Sequence, residues 1–359
     1  MFKAFKDPTV LWTTLLASGI LMVTMGTRQS MGLYVGPINT STGLGMASIS
    51  LAMALGQFVW GAVQPIAGAV ADRHGARIVL LCGVGFLALG YALTPWLGSA
   101  LGLMFTLGLV SAMGSGAASF SVLIGACAQR LPAQARGSAS GVINAGGSMG
   151  QFVFPPILQR LIEALGWMGA MWSMALMTLL SLPLILRLTK GQAAPQATNT
   201  NQESLSQAVK SSLKNPSYLM LHLGFFTCGF HIAFLITHLP TQVNLCGLPP
   251  SVASWSLAII GLSNIVGSIV AGNCVNHYRS KYILAWMYAS RALLIGLYLL
   301  APKTALTFYL FAVGLGLTWL ATVPPTAGIV AKLFGVRYLG TLFGLTLLSH
   351  QLGGFFGAY

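Results

Sequence analysis

Apolar runs recur along the whole chain, parted by short polar turns. They fall at 11–36, 46–71, 78–97, 101–129, 137–162, 166–187, 218–240, 251–275, 281–300, 305–331 and 338–359. A helix rises about 1.5 Å per residue, so about 20 apolar residues cross the ~30 Å hydrocarbon core of a bilayer. Eleven membrane-spanning helices are therefore predicted. The two-residue alternation of a transmembrane barrel is absent. One stretch breaks the rhythm. Residues 188–217, "LTKGQAAPQATNTNQESLSQAVKSSLKNPS", are polar and read as a linker with a short surface helix around Leu205 to Leu213. The predicted organisation is a bundle of six helices over 1–187, the linker over 188–217, and a bundle with five helices present over 218–359.

The two halves resemble each other at an offset near 204. "GAVADRHGARIVL" (68–80) aligns with "GNCVNHYRSKYIL" (272–284), matching Gly68 to Gly272, Asp72 to Asn276 and Arg77 to Lys281. "RGSASG" (136–141) aligns with "RYLGTLFG" (337–344), with Gly137/Gly340 and Gly141/Gly344 in step. Repeated halves are a mark of secondary transporters, which hold substrate where the repeats meet. By the same repeat a twelfth span should follow the eleventh. The sequence therefore reads as truncated, with an eleven-helix protein as the other reading.

Composition agrees with a lipid environment, at 55% hydrophobic and 6% charged residues. The formal charge of +14 raises nucleic acid as a partner, and the placement of the charge argues against it. Fourteen of the 18 basic residues fall in turns on one side, among them Arg73, Arg77, Arg130, Arg136, Arg279, Lys281, Lys332 and Arg337. Arg160 and Lys303 fall on the other, and Arg28 and Arg291 lie within spans. The positive-inside rule then puts the N-terminus and the linker in the cytoplasm of a multi-pass plasma-membrane protein. The five cysteines form no CxxC or Cys/His cluster, so they read as small apolar filler, and neither metal nor cofactor is expected. No cleavable leader is expected, because the first apolar run is too long.

The turn between spans two and three reads Gly68-x-x-x-Asp72-Arg73-x-Gly75-x-Arg77. It resembles the loop signature of the major facilitator superfamily, departing from it at Ala76, where a second basic residue is common. The resemblance covers the whole chain, through six plus five spans, the central linker and the degenerate second copy of the loop. It implies an all-α fold of two pseudo-symmetric six-helix bundles, the last helix missing here, with spans 1, 4, 7 and 10 around a cavity. It also implies a gate, in which Asp72 pairs across the bundles with the start of span eleven and Arg73 or Arg136 joins the network. Glycines allow the close approach such a gate needs, and a helix N-terminus favours an acid. The plainer alternative is that these charges only mark a turn. "GTRQSMGLYVGPI" near the start and "YASRALLIGLYLL" in span nine resemble the monocarboxylate and oxalate–formate porter branch.

Arg28 is the foremost candidate for substrate contact. A guanidinium at a bilayer centre costs about 2.5–3.5 kcal/mol, and such groups usually face an interior or an aqueous path. No acid within a span neutralises Arg28, and a two-pronged donor suits a carboxylate. The alternative is snorkelling to the interface or bonding to main-chain carbonyls. Arg291 has the same two readings, a second anion contact or a structural donor. His231 and His238, seven residues apart, share a face of span seven and are candidates for a coupled proton. Each is equally a hydrogen-bonded packing residue. Tyr34, Ser115, Ser119, Asn264, Thr318 and Trp319 are further cavity candidates. Gln57/Gln64 and Asn144/Gln151 form polar stripes, which line a path or join helices. Pro324-Pro325 breaks span ten, a usual device beside a transporter cavity.

Buried arginine without buried acid points to a secondary active transporter for a small organic anion, monocarboxylate-like, working as a monomer by alternating access. Its partners would be that anion, a coupled proton and the bilayer. The alternatives are an exporter of hydrophobic or cationic compounds, a non-transporting receptor, or an inactive truncated transporter. No nucleophile–base or metal-ligand spacing supports an enzyme.

Overall fold

The computed structural model describes residues 4–191 and 204–358. The middle of the predicted linker, 192–203, lies outside the described residues. Among the described residues, nine helical stretches are long and apolar enough to cross a membrane. The longest, Ala133–Leu188, turns at Gly166 (φ 68°) and makes two passes. Leu339–Ala358 adds a further helix of 20 residues. The eleven passes are α1 (Pro8–Gln29), α2 (Met46–His74), α3 (Ala76–Leu93), α4 (Ala100–Arg130), α5 and α6 (133–165 and 167–188), α7 (Pro216–Leu245), α8 (Pro250–His277), α9 (Ser280–Leu300), α10 (Ala305–Phe334) and α11 (Leu339–Ala358). Leu205–Ser212 forms the short helix expected beside the linker, started by a capping box of Ser204 and Gln207. The first run, expected unbroken to residue 36, turns after Gln29, where the Ser30 N–H and Oγ both donate to the Gly26 carbonyl (3.2 and 2.7 Å).

Among the described residues the arrangement is all-helical, as the repeat and the loop motif implied. The ends of the spans on the side of the linker are called the linker face below, and the opposite ends the far face. Two seams join the halves, α2 against α11 and α5 against α8. Both seams are lined by glycine. A Cβ at Gly68 would strike the Gly340 carbonyl, and one at Gly344 would lie 2.8 Å from the Pro65 Cα. One at Gly141 would lie 2.6 Å from the Ser268 carbonyl and 2.8 Å from the Gly272 Cα. With little hydrophobic drive between helices in lipid, such close backbone approach supplies the packing energy. The glycines matched by the internal repeat are these same residues, so the repeat carries one seam onto the other.

Two spans are broken in the bilayer. In α10 the helix stops at Thr318 and resumes at Val323. Pro324 and Pro325 have no N–H to give to Leu320 and Ala321, so the backbone needs other partners. Asn144 from α5 donates to the Leu320 carbonyl (2.8 Å), and the Leu320 N–H donates to Asn264 Oδ1 (2.9 Å). Arg291 Nη2 donates to the Thr318 and Trp319 carbonyls. In α4 the break falls at Ala118–Ser119, without any proline. There Thr24 Oγ1 donates to the Ala118 carbonyl (3.1 Å) and Ser119 Oγ to Gln64 Oε1 (3.1 Å). The two breaks stand near the repeat offset from each other.

Candidate substrate site and gate

Asp72, at the linker-face end of α2, is 4% exposed. Its carboxylate crosses the seam to the first turn of α11. Oδ1 accepts from the Gly340 N–H (3.2 Å), and Oδ2 accepts from the Thr341 N–H and Oγ1 (both 2.7 Å). First-turn N–H groups have no intrahelical acceptor, and the helix dipole favours an anion there. A buried carboxylate needs such donors, and bonds to a charged group contribute about 1.5–3 kcal/mol each. Gly75 (φ 88°) makes the turn that closes α2. Arg73 and Arg77 are exposed on that turn. Arg136 does not join the network, because its Nε donates to the Leu131 carbonyl (3.0 Å) of its own half. At the repeat-related place, Asn276 Oδ1 accepts from the Gly137 N–H (3.2 Å) and Nδ2 donates to Ser138 Oγ (2.7 Å). Among the described residues, the hydrogen bonds between the halves run from mid-membrane to the linker face.

At mid-membrane, Arg28 Nη2 donates to Gln57 Oε1 (2.8 Å) and to the Gly56 carbonyl (3.2 Å). The guanidinium carbon lies 4.7 Å from the centroid of the Trp60 ring, a cation–π arrangement. Gln57 Nε2 donates across the seam to Gln351 Oε1 (2.5 Å), whose Nε2 lies 3.5 Å from His350 Nδ1. A polar line thus runs from α1 through α2 to α11, joining the halves. Arg28 is half-buried on it. No carboxylate stands on the line. Among the described residues the one ion pair is Arg160–Glu163 (3.4 Å), toward the far end of α5. On the line, the buried Trp60 Nε1 and His350 Nε2 have no hydrogen-bond partner, and the same holds elsewhere for Gln64 Nε2 and His231 Nδ1.

Other sequence candidates lie elsewhere. Arg291 is 1% exposed and bonds the broken helix through Nη2, with Nη1 3.5 Å from Cys228 Sγ and Nε without a hydrogen-bond partner. Its Nη2 bonds satisfy carbonyls freed at the break in α10. Tyr34 is fully buried in the apolar packing of the first half with Ile38, Leu158 and Met171. Ser115 Oγ donates to the Ala112 carbonyl of its own helix (3.1 Å), and Trp319 is buried in the second half. His238 is half-buried against Phe234, ring centroids 4.8 Å apart. Trp60 and Gln351 escaped the sequence reading. Both are single polar-tipped side chains in apolar runs, and nothing in spacing separates them from ordinary helix contacts.

Residues 12–358 match the model of the Major Facilitator Superfamily. This chain belongs to that superfamily. It is a multi-pass membrane transporter of a small substrate. Among curated relatives, monocarboxylate transporter 13 of Rattus norvegicus is 26% identical over 301 residues, covering 82% of this chain and 68% of its own. The oxalate:formate antiporter of Oxalobacter formigenes is 25% identical over 259 residues, 70% of this chain and 60% of its own. The fujikurins efflux protein of Gibberella fujikuroi is 24% identical over 216 residues, 60% of this chain and 45% of its own. Among solved structures, the proton:xylose symporter XylE aligns with a TM-score of 0.72 at 16% identity, over 98% of this chain and 88% of its own. At that identity the likeness is one of fold.

Proposed function

We infer that this major facilitator transporter carries a small organic anion, monocarboxylate-like, by alternating access. Arg28 is the observation that carries the reading. Its hydrogen bonds among the described residues use Nη2 alone, which leaves N–H donors that a carboxylate can fill two at a time. The neutral glutamines and the Trp60 face offset part of its burial without cancelling its charge. Similarity to a monocarboxylate transporter and to an oxalate:formate antiporter supports the same substrate class. In this reading the basic linker face is cytoplasmic, and Asp72 and Asn276 hold it shut. The halves 1–187 and 218–359 rock about the two glycine seams, and His231 and His350 are the candidates for a coupled proton.

Uptake of labelled lactate, pyruvate, formate and oxalate into proteoliposomes tests the reading. At least one acid is expected to enter with the wild type and at least tenfold more slowly with Arg28→Gln. A second reading, export of a hydrophobic compound, is favoured by similarity to the fujikurins efflux protein. Transport of a lipophilic compound with no acid uptake would establish it instead.

A further inference from the structure

On the bilayer side of the second half, near the linker face, a groove of about 750 Å³ opens between α7, α9 and α10. Met220, Leu284 and Leu333 line it with apolar surface, and the exposed Arg279, Lys281 and Lys332 form its basic rim. Ser280 also lines the groove. It is 3% exposed, and its Oγ has no hydrogen-bond partner. Ser280 is also the first residue of α9, a helix of 21 residues, so the first-turn N–H groups stand at the same place. The Ser280 hydroxyl packs toward Gly328 of α10, where an added Cβ would stand 3.1 Å from it, so the groove offers the first-turn N–H groups and the basic side chains. Arg279 is shared with a second groove of about 520 Å³ walled by Tyr278, Tyr282 and Trp286. These three aromatics are exposed, as expected of residues at the level of lipid headgroups. Among the described residues, no ion pair involves Arg279, Lys281 or Lys332. Lys281 Nζ stands over the Tyr282 ring (5.1 Å to the centroid), and the one ion pair among the described residues lies toward the opposite face.

We propose that these grooves bind an anionic diacyl phospholipid from the leaflet at the linker face. The phosphate sits at the start of α9, neutralised by Arg279, Lys281 and Lys332. One acyl chain follows Met220 and Leu284, and the other passes Arg279 into the groove of Tyr282 and Trp286. A zwitterionic lipid has the chains for this site and lacks the net charge for its rim. A free phosphate has the charge and lacks the chains.

The test is native mass spectrometry of the purified full chain in detergent, titrated separately with phosphatidylglycerol, phosphatidylcholine and inorganic phosphate. Phosphatidylglycerol is expected to bind with about one-to-one stoichiometry and at least tenfold more tightly than phosphatidylcholine. Inorganic phosphate is expected not to bind. Arg279→Gln, Lys281→Gln and Lys332→Gln alter exposed side chains, and each should weaken phosphatidylglycerol about fivefold while leaving the weak binding of phosphatidylcholine unchanged. Equal binding of the two lipids, or a triple glutamine variant with undiminished preference, would overturn the proposal. Saturable binding of inorganic phosphate at these residues would do the same, because it assigns the site to a soluble anion.

Discussion

A guanidinium within a membrane span needs acceptors, and Arg28 and Arg291 find different kinds. Arg291 is buried against the carbonyls of a broken helix, two of which it satisfies through Nη2. Arg291→Met keeps the apolar stem and removes the donors. Leaving buried carbonyls bare costs about 1–3 kcal/mol, so this variant should unfold several degrees below the wild type in detergent, with Arg291→Lys between them. An unchanged midpoint with lost transport would move Arg291 to the substrate path. Arg28 meets neutral side chains and keeps free donors, which is why it is the candidate for ligand contact. The sequence exposed both residues, since a charge inside an apolar run is conspicuous. It did not separate them. The acceptors of Arg291 come from a span break 27 residues away, and those of Arg28 from a neighbouring helix. Both are facts of packing that one-dimensional spacing does not carry.

At the scale of elements, the two seams are copies of one device. Asp72 on α2 meets the start of α11 with a charge, and Asn276 on α8 meets the start of α5 without one. Asp72→Asn should therefore loosen the α2–α11 seam. Losing about 1.4 kcal/mol of a charge-assisted contact shifts the equilibrium about tenfold toward an open linker face. Spin labels at positions 129 and 337, where the end of α4 meets the turn before α11 across the halves, would show the longer distance gaining population. Gly141→Leu acts on the other seam by bulk, since a side chain there runs into the Ser268 carbonyl and the Gly272 backbone. It should open the same face regardless of charge. Labels that report no change in either variant would separate these contacts from closure. The glycine and Asp/Asn matches were visible in the sequence because both halves must satisfy the same seam geometry. The break in α10 was visible because proline cannot donate. The break in α4 was not, because Ala118 and Ser119 have no intrinsic bar to a helix. Thr24 and Gln64 hold it from other spans.

At the scale of the whole molecule, the polar line from Arg28 to His350 ties the halves together where they meet, and the Asp72 and Asn276 contacts lie on the linker-face side of it. An anion bound at Arg28 would compete for Gln57 and so bear on the Gln57–Gln351 bond between the halves. Gln57→Leu should accordingly weaken acid binding while leaving the fold intact, read as a higher half-saturation concentration in uptake. The architecture was legible from span lengths and the repeat, because a bilayer leaves few ways to satisfy the backbone. The substrate class rests on one charge and its surroundings. The most direct test is counterflow in proteoliposomes preloaded with an unlabelled monocarboxylate that the wild type takes up. The wild type should transiently concentrate the labelled acid inside, and Arg28→Gln, incorporated to the same level, should not. Counterflow by Arg28→Gln equal to that of the wild type would contradict the account.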